Sequence, residues 1–206
     1  MTKPPPSPFP DYEFVPNGKD LVFPDGTIEQ GYELRKKTDF IVRNGIGGHH
    51  NPSMLKDEWL TPPEIVLALG SFDLDPCTPM ARPWNTALNH YTIEDNGLTK
   101  PWFGRVWLNP PYGGPNIIGP WMRRMADHNC GIALTFARTE TVVFFETVWN
   151  KASSVLFIAG RLYFYHSDGR RALANSGGPS VLISYGESDA GALRNSGIIG
   201  KWIDLR

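Results

Sequence analysis

The 206-residue sequence predicts an α/β fold: a doubly wound sheet with helices on both faces, preceded by a short N-terminal extension. Three observations predict it. Apolar runs of strand length, such as Gly131–Phe136 and Val155–Ile158, recur through the second half of the chain. Helix-length stretches with apolar residues on one side lie between them. Prolines and glycines fall at the joints, where strands hand over to turns. Composition agrees, because 41% of residues are hydrophobic and seven are Trp, enough for a real core.

In chain order, residues 1–18 hold six prolines (4, 5, 6, 8, 10 and 16) and read as an extended, poorly ordered arm. Residues 19–50 read as a small appendage, with a turn at Phe23-Pro24-Asp25-Gly26-Thr27, a short strand at Phe40-Ile41-Val42 and a break at Gly45-Ile46-Gly47-Gly48. The main domain is expected over 51–206. Thr61-Pro62-Pro63-Glu64 opens a helix, with Thr61 as its cap and proline at the first helical position; it runs through Leu69 and stops at Gly70. Phe72–Asp75 is a strand ending at Pro76, and Arg105–Leu108 is a strand running into a proline pair. Residues 116–128 fit a helix with Trp121, Met122 and Met125 on one side. Gly131–Phe136 is a buried strand. Thr139 is expected to cap a helix whose Phe144, Phe145 and Val148 enter the core. Val155–Ile158 is a further strand, and Leu162–Tyr165 and Val181–Tyr185 are expected to pair antiparallel. The alternation implies βαβ units and a parallel sheet.

Several functions are set aside by composition. No apolar run approaches the roughly 20 residues of a membrane span, and the first residues lack the apolar core of a secretory signal. Two cysteines, Cys77 and Cys130, cannot form a disulfide framework; they read as buried small hydrophobes in a reducing cytoplasm. Adjacent His49 and His50 do not converge on one ion and no Cys/His cluster accompanies them, so no metal is expected. Net charge is −1, which argues against a generic basic nucleic-acid coat. The first hundred residues carry nine Lys/Arg against fourteen Asp/Glu, and the rest eleven against seven, so any nucleic-acid contact is expected in the second half.

In open α/β sheets ligands bind beyond the carboxyl ends of the strands. Chemistry is therefore sought at Asp75-Pro76-Cys77, Asn109-Pro110-Pro111-Tyr112 and Ala137-Arg138. The second of these is the most informative. Two prolines after Val106-Trp107-Leu108 would end a strand in any protein, but an Asn before them and an aromatic after them, followed by Gly113-Gly114, is a rarer arrangement.

At this point the sequence resembles the amino-group DNA methyltransferases, whose pattern is Asp/Asn/Ser-Pro-Pro-aromatic, and in particular the small phage and prophage DNA N-6-adenine methyltransferase (Dam-like) family. Trp59-Leu60-Thr61-Pro62 resembles their Thr-Pro element, Leu74-Asp75-Pro76-Cys77 their cofactor loop, and Asp95-Asn96-Gly97-Leu98 with Trp102 and Gly104 a further family segment. Gly160-Arg161-Leu162 through Phe164 also has a counterpart. The likeness covers about residues 57–186. It implies a Rossmann-like methyltransferase sheet and S-adenosylmethionine as donor. It also implies double-stranded DNA as partner, with action in the cytoplasm of a bacterial host and protection of phage DNA from restriction.

The resemblance assigns Asn109, Pro110, Pro111 and Tyr112 to catalysis. An exocyclic adenine nitrogen is a poor nucleophile because its lone pair is delocalised into the ring. The side-chain oxygen of Asn109 and the carbonyl of Pro110 would accept its two N–H bonds, while the proline pair fixes the backbone and Tyr112 offers a flat face to an extruded base. Trp59, Thr61, Pro62, Asp75, Pro76, Cys77 and Asp95 are assigned to the cofactor, although Asp95 also fits a plain Asx turn with Asn96-Gly97. Arg123-Arg124, Arg138, Arg161 and Arg170-Arg171 are the candidate DNA contacts; Arg138 and Arg161 rank first because they adjoin strand ends. The sequence departs from the pattern in one respect: Thr78-Pro79-Met80 follows Cys77 where a Gly-x-Gly is usual. The same tetrapeptide also serves RNA and glutamine-amide methyltransferases, and a degenerate homologue that only binds DNA is a third reading.

Overall fold

The computed structural model describes residues 59–206 except residue 113, together with the backbone of two earlier strands. The chain divides into two compact units, Met1–Gly48 and His49–Arg206. In the first, β1 (Tyr12–Val22) pairs antiparallel with β2 (Ile28–Lys36), with a register shift between Pro16 and Asp20. Residues 12–18, expected in the extended arm, thus belong to a strand. The expected turn at 23–27, the strand at 40–42, the break at 45–48 and the histidine pair lie outside the described residues.

The second unit is built on one seven-stranded sheet. Its strands are β3 (Leu74–Asp75), β4 (Asn89–His90), β5 (Val106–Leu108), β6 (Gly131–Phe136), β7 (Ser154–Ile158), β8 (Ser180–Tyr185) and β9 (Gly200–Asp204). They lie in the order β4-β3-β5-β6-β8-β7-β9. The first four run parallel, as expected. The other half does not: β8 inserts antiparallel between β6 and β7, and β9 runs antiparallel to β7. The sheet is therefore mixed. The expected pairing of Leu162–Tyr165 with Val181–Tyr185 is also corrected. Residues 181–185 are buried on both faces and so belong inside the sheet, while Tyr165 makes isolated bridges to Leu60 and Arg171.

Helices cover both faces. Successive residues of each inner strand point to opposite sides, and both sides are dry. Val106, Leu108, Ala133, Val155 and Ile183 meet α2 (Pro115–His128) and α3 (Val142–Phe144), which continues as a π-helical turn, Phe145–Trp149. Trp107, Ile132, Leu134, Leu156 and Leu182 meet α1 (Pro63–Ala68) and α4 (Glu187–Arg194). The Arg105 guanidinium ties α4 to the start of β5 through Asp189, at 2.6 Å.

Three local readings change. Pro62, not Thr61, stands at the N-cap of α1, because Thr61 is buried and makes no capping bond. The cap of α3 is Thr141, whose hydroxyl accepts from the Phe144 N–H at 3.3 Å, while the Thr139 carbonyl instead accepts from the Trp149 indole. Phe144 and Val148 are core, but Phe145 is half exposed, since neighbours on a helix cannot both face the sheet.

Candidate active site

β3 and β5 are parallel neighbours, with Leu74 opposite Val106, so the segments that follow them open side by side. They border a cleft of about 510 Å³ whose walls include Trp59, Pro76, Cys77, Thr78, Tyr112 and Trp121, with Asn109, Pro110 and Pro111 beside them.

The Asn109 side chain is held at both ends. Its Nδ2 donates to the Trp59 carbonyl at 3.1 Å, and its Oδ1 accepts from the Tyr112 hydroxyl at 3.0 Å. Its backbone carbonyl accepts from the Cys77 thiol at 3.3 Å, which joins the two loops directly. An oxygen accepts more than one hydrogen bond, so Oδ1 keeps capacity for a ligand N–H. The Tyr112 ring stacks on Phe136 at 4.5 Å between centroids, tilted 27°, and meets the edge of Phe164 at 6.2 Å. Burial pushes both the Tyr112 phenol and the Cys77 thiol well above their ordinary values, so both stay neutral donors at physiological pH.

The first loop is organised from beneath by Asp75, which is 4% exposed. The Thr86 hydroxyl donates to Oδ2 and the Cys77 N–H to Oδ1 at 3.1 Å. Burial raises this carboxyl to about 6, against the opposing pull of Thr86, the Cys77 N–H and the Arg82 charge. Thr78 follows. Its N–H donates to the Tyr91 carbonyl at 3.0 Å, yet its hydroxyl is buried and has no hydrogen-bond partner among the described residues. The segment after β4 closes on the same loop. A Cβ at Gly97 would stand 1.8 Å from the Pro76 carbonyl oxygen, so only glycine allows this approach.

The expected residues divide as follows. Trp59, Pro76, Cys77 and the Asn109–Tyr112 tetrapeptide surround the cleft. Thr61, Pro62 and Asp75 are buried and do not line it, and the Thr61 hydroxyl lacks a partner among the described residues. Asp95 closes a turn through the Thr92 N–H at 2.9 Å and pairs with Lys100 at 2.6 Å, contacts that hold its carboxyl down at about 2. Arg123 pairs with Glu146 and Arg170 with Asp168, all exposed. Arg161 is exposed beyond β7. Arg138 lines a second cleft of about 240 Å³ that shares Tyr112 with the first. Cys130 is exposed, contrary to expectation, because it sits in the turn before β6.

Sequence reasoning missed Phe136, Phe164, Thr78 and Trp121. Phe136 carried a signal, since it ends a strand on the same side of the sheet as the tetrapeptide; Thr78 carried one as the residue in place of glycine. Among the described residues no group of three or more His, Cys, Asp or Glu could hold a metal ion, and no helix is long and apolar enough to cross a membrane.

Residues 48–191 match the family described as DNA N-6-adenine-methyltransferase (Dam). A DNA N-6-adenine-methyltransferase of Escherichia phage T1 is 24% identical over 171 residues, covering 72% of this chain and 71% of the relative. No solved structure matches the chain. The family match extends over well more than half of the sequence and spans both loops of the cleft, and on it the chain belongs to the DNA N-6-adenine-methyltransferase (Dam) family.

Proposed function

We propose that this protein transfers a methyl group from S-adenosylmethionine to the exocyclic nitrogen of an adenine extruded from double-stranded DNA, on a Rossmann-like methyltransferase sheet. The observation that carries the reading is the Asn109 amide, fixed by Trp59 and Tyr112 on the wall of a cleft, in a chain of this family.

The cleft fits the donor. Its volume is that of a small-molecule site, its walls are largely aromatic and apolar, and one wall residue, Thr78, has a buried hydroxyl with no hydrogen-bond partner among the described residues. Trp59, Pro76, Cys77 and Thr78 would hold the donor, with the Asp75 charge beneath the loop favouring a cation. When bound, S-adenosylmethionine supplies an electrophilic methyl on a positively charged sulfur. Thr61, Pro62 and Asp95 support the walls from behind: the first two lead into α1, and Asp95 closes the turn that brings Gly97 onto Pro76.

The chain's own residues prepare the acceptor. Asn109 Oδ1 and the Pro110 carbonyl accept the two amino hydrogens and draw the nitrogen away from conjugation. Pro111 fixes the backbone, and Tyr112 gives the base a ring to stack on. Phe136 backs that ring and sets its plane. Arg123, Arg138, Arg161 and Arg170 contact the DNA, and the activity serves a phage or prophage in the host cytoplasm by shielding its DNA from restriction.

The test is transfer from radiolabelled donor to unmethylated DNA, RNA and protein, followed by nucleoside analysis. Label is expected in N6-methyladenine from DNA. Asn109→Ala should lower that rate on the order of 100-fold or more while donor affinity is kept, since it removes one positioned polar group. Label in RNA or protein alone, or a variant as fast as the parent, overturns the assignment.

A further inference from the structure

Between β7 and β8 the chain runs out and back as a hairpin that belongs to neither the sheet nor a helix. Its arms are joined by Ser176 N–H to Leu162 O at 2.7 Å, Ala172 N–H to Phe164 O at 2.8 Å and His166 N–H to Arg170 O at 2.9 Å. The tip closes with Gly169 N–H to His166 O at 2.8 Å. The inner arm is anchored. Tyr165 exchanges two backbone hydrogen bonds with Leu60, at 2.8 and 2.9 Å, Trp84 meets the Tyr165 ring edge-on, and Trp59 packs on His166.

The root of the hairpin straddles the ring stack of the active site. On the way in, Phe164 packs its ring against Tyr112. On the way out, Gly178 lies so close to Phe136 that a Cβ there would stand 3.1 Å from the ring. The hairpin is thus rooted on both rings that would frame an extruded base.

The outer arm has the opposite character. Arg170, Arg171 and Leu173 are exposed, and Leu173 is fully so, at 102%. The segment from Arg161 to Ser176 contains three arginines and one acidic residue, Asp168, on a chain whose net charge is −1. Arg171 lies over the Tyr163 ring at 4.2 Å, which holds its guanidinium in place. Single exposed apolar side chains are ordinary on protein surfaces. This one follows Ala172, whose N–H is bonded to Phe164, two steps of contact from Tyr112, and shares its arm with two arginines. Clustered cations suit a phosphate backbone, and an apolar side chain beside them suits the space between stacked bases.

We propose that the hairpin Leu162–Ser176 is the element that grips duplex DNA beside the target base. Arg161, Arg170 and Arg171 lie along the phosphates, and Leu173 fills the gap that the extruded base leaves in the stack. The inference rests on the methyltransferase reading above. It adds the element that holds the duplex open and the wedge Leu173, where that reading names Arg161 and Arg170 only as DNA contacts.

The experiment uses two duplexes that differ only opposite the adenine methylated by the wild-type protein, which faces thymine in one and an abasic site in the other. An unpaired base costs less to extrude, so the wedge matters less there. Leu173→Ala should slow transfer about tenfold on the paired duplex, and by a clearly smaller factor on the abasic one. Equal losses on both, or no loss, overturn the wedge. Arg161→Ala should reduce the dependence of log affinity on log salt by about one; an unchanged slope overturns the phosphate contact. Both side chains are exposed, so melting temperatures should match the parent. Affinity for the paired duplex is read in parallel by anisotropy. If the wild type methylates neither duplex, the enzymatic reading falls; the hairpin is then judged by affinity alone, and variants that bind as tightly as the parent overturn it as well.

Discussion

The two loops at the head of the cleft are braced in different ways. The Asn109–Tyr112 loop after β5 has its key polar atoms satisfied: Trp59, Tyr112 and Cys77 each take one polar atom of Asn109. The Asp75–Thr78 loop after β3 is organised on a buried carboxyl, and its Thr78 hydroxyl has no partner among the described residues. One loop is preorganised before any ligand arrives. The other carries a desolvation cost that a ligand can relieve. The difference separates the two tasks: changes in the first loop should act on rate, and changes in the second on donor affinity and on the stability of the free protein.

The largest effect that could break this comparison is expected at Tyr112. Tyr112→Ala removes a stacking surface and should lower the rate by roughly 5- to 150-fold. Tyr112→Phe keeps the ring but releases Asn109 Oδ1, which costs one hydrogen bond, about 1 kcal/mol or some fivefold in rate. Steady-state rates with saturating donor check both. Equal losses in the two variants would make the hydroxyl, not the ring, the dominant contribution, and a loss of donor affinity in either would blur the division between the loops.

Asp75 sharpens it from the other side. Burial raises this carboxyl from 3.8 to about 6, so the folded state favours the protonated form. Its stabilising contribution is full below about pH 4 and is lost as pH climbs through 6. Asp75→Asn avoids that loss, and its melting temperature should overtake the parent's between pH 4 and pH 7, by an amount corresponding to at most roughly 3 kcal/mol. Donor affinity, measured by calorimetry, should fall in the same variant because the charge beneath the loop is gone. A constant difference in melting temperature across that range would sink the account.

The smallest change is expected for Thr78→Val, which is nearly isosteric. The free protein should melt a few degrees higher, since a buried hydroxyl without a partner costs about 1–3 kcal/mol, and donor affinity should fall by about fivefold. An unchanged affinity would mean that this hydroxyl never meets the donor.

How much of this was legible before folding differs by element. β6 is read to the residue, because Gly131–Phe136 is a continuous apolar run bounded by turns. The start of α1 is misplaced by one residue because either proline of Pro62-Pro63 suits a first helical turn, and only the burial of Thr61 decides. α4 and β9 escape notice: Glu187–Arg194 is largely polar, and β9 is an edge strand with mostly exposed residues. The Asn109–Tyr112 tetrapeptide is legible because its chemistry is local. Phe164 is not, because its part arises where segments far apart in the chain converge; Phe136, at the end of β6, and Thr78, in place of a glycine, left only the indirect signals of their positions.

The insertion of β8 between β6 and β7 bears on how the chain is made. A ribosome releases β6 and β7 well before Tyr185, yet neither can close against the other; the slot between them waits for β8. Until that strand emerges, the nascent sheet has two raw edges, apolar on both faces, which are the surfaces most prone to pair with the wrong partner. Closing the slot joins the two halves in a single late event. The strand that seals it also carries Gly178 into place, just ahead of Ser180, against the Phe136 ring. Assembly of the framework and assembly of the active-site wall are therefore the same step.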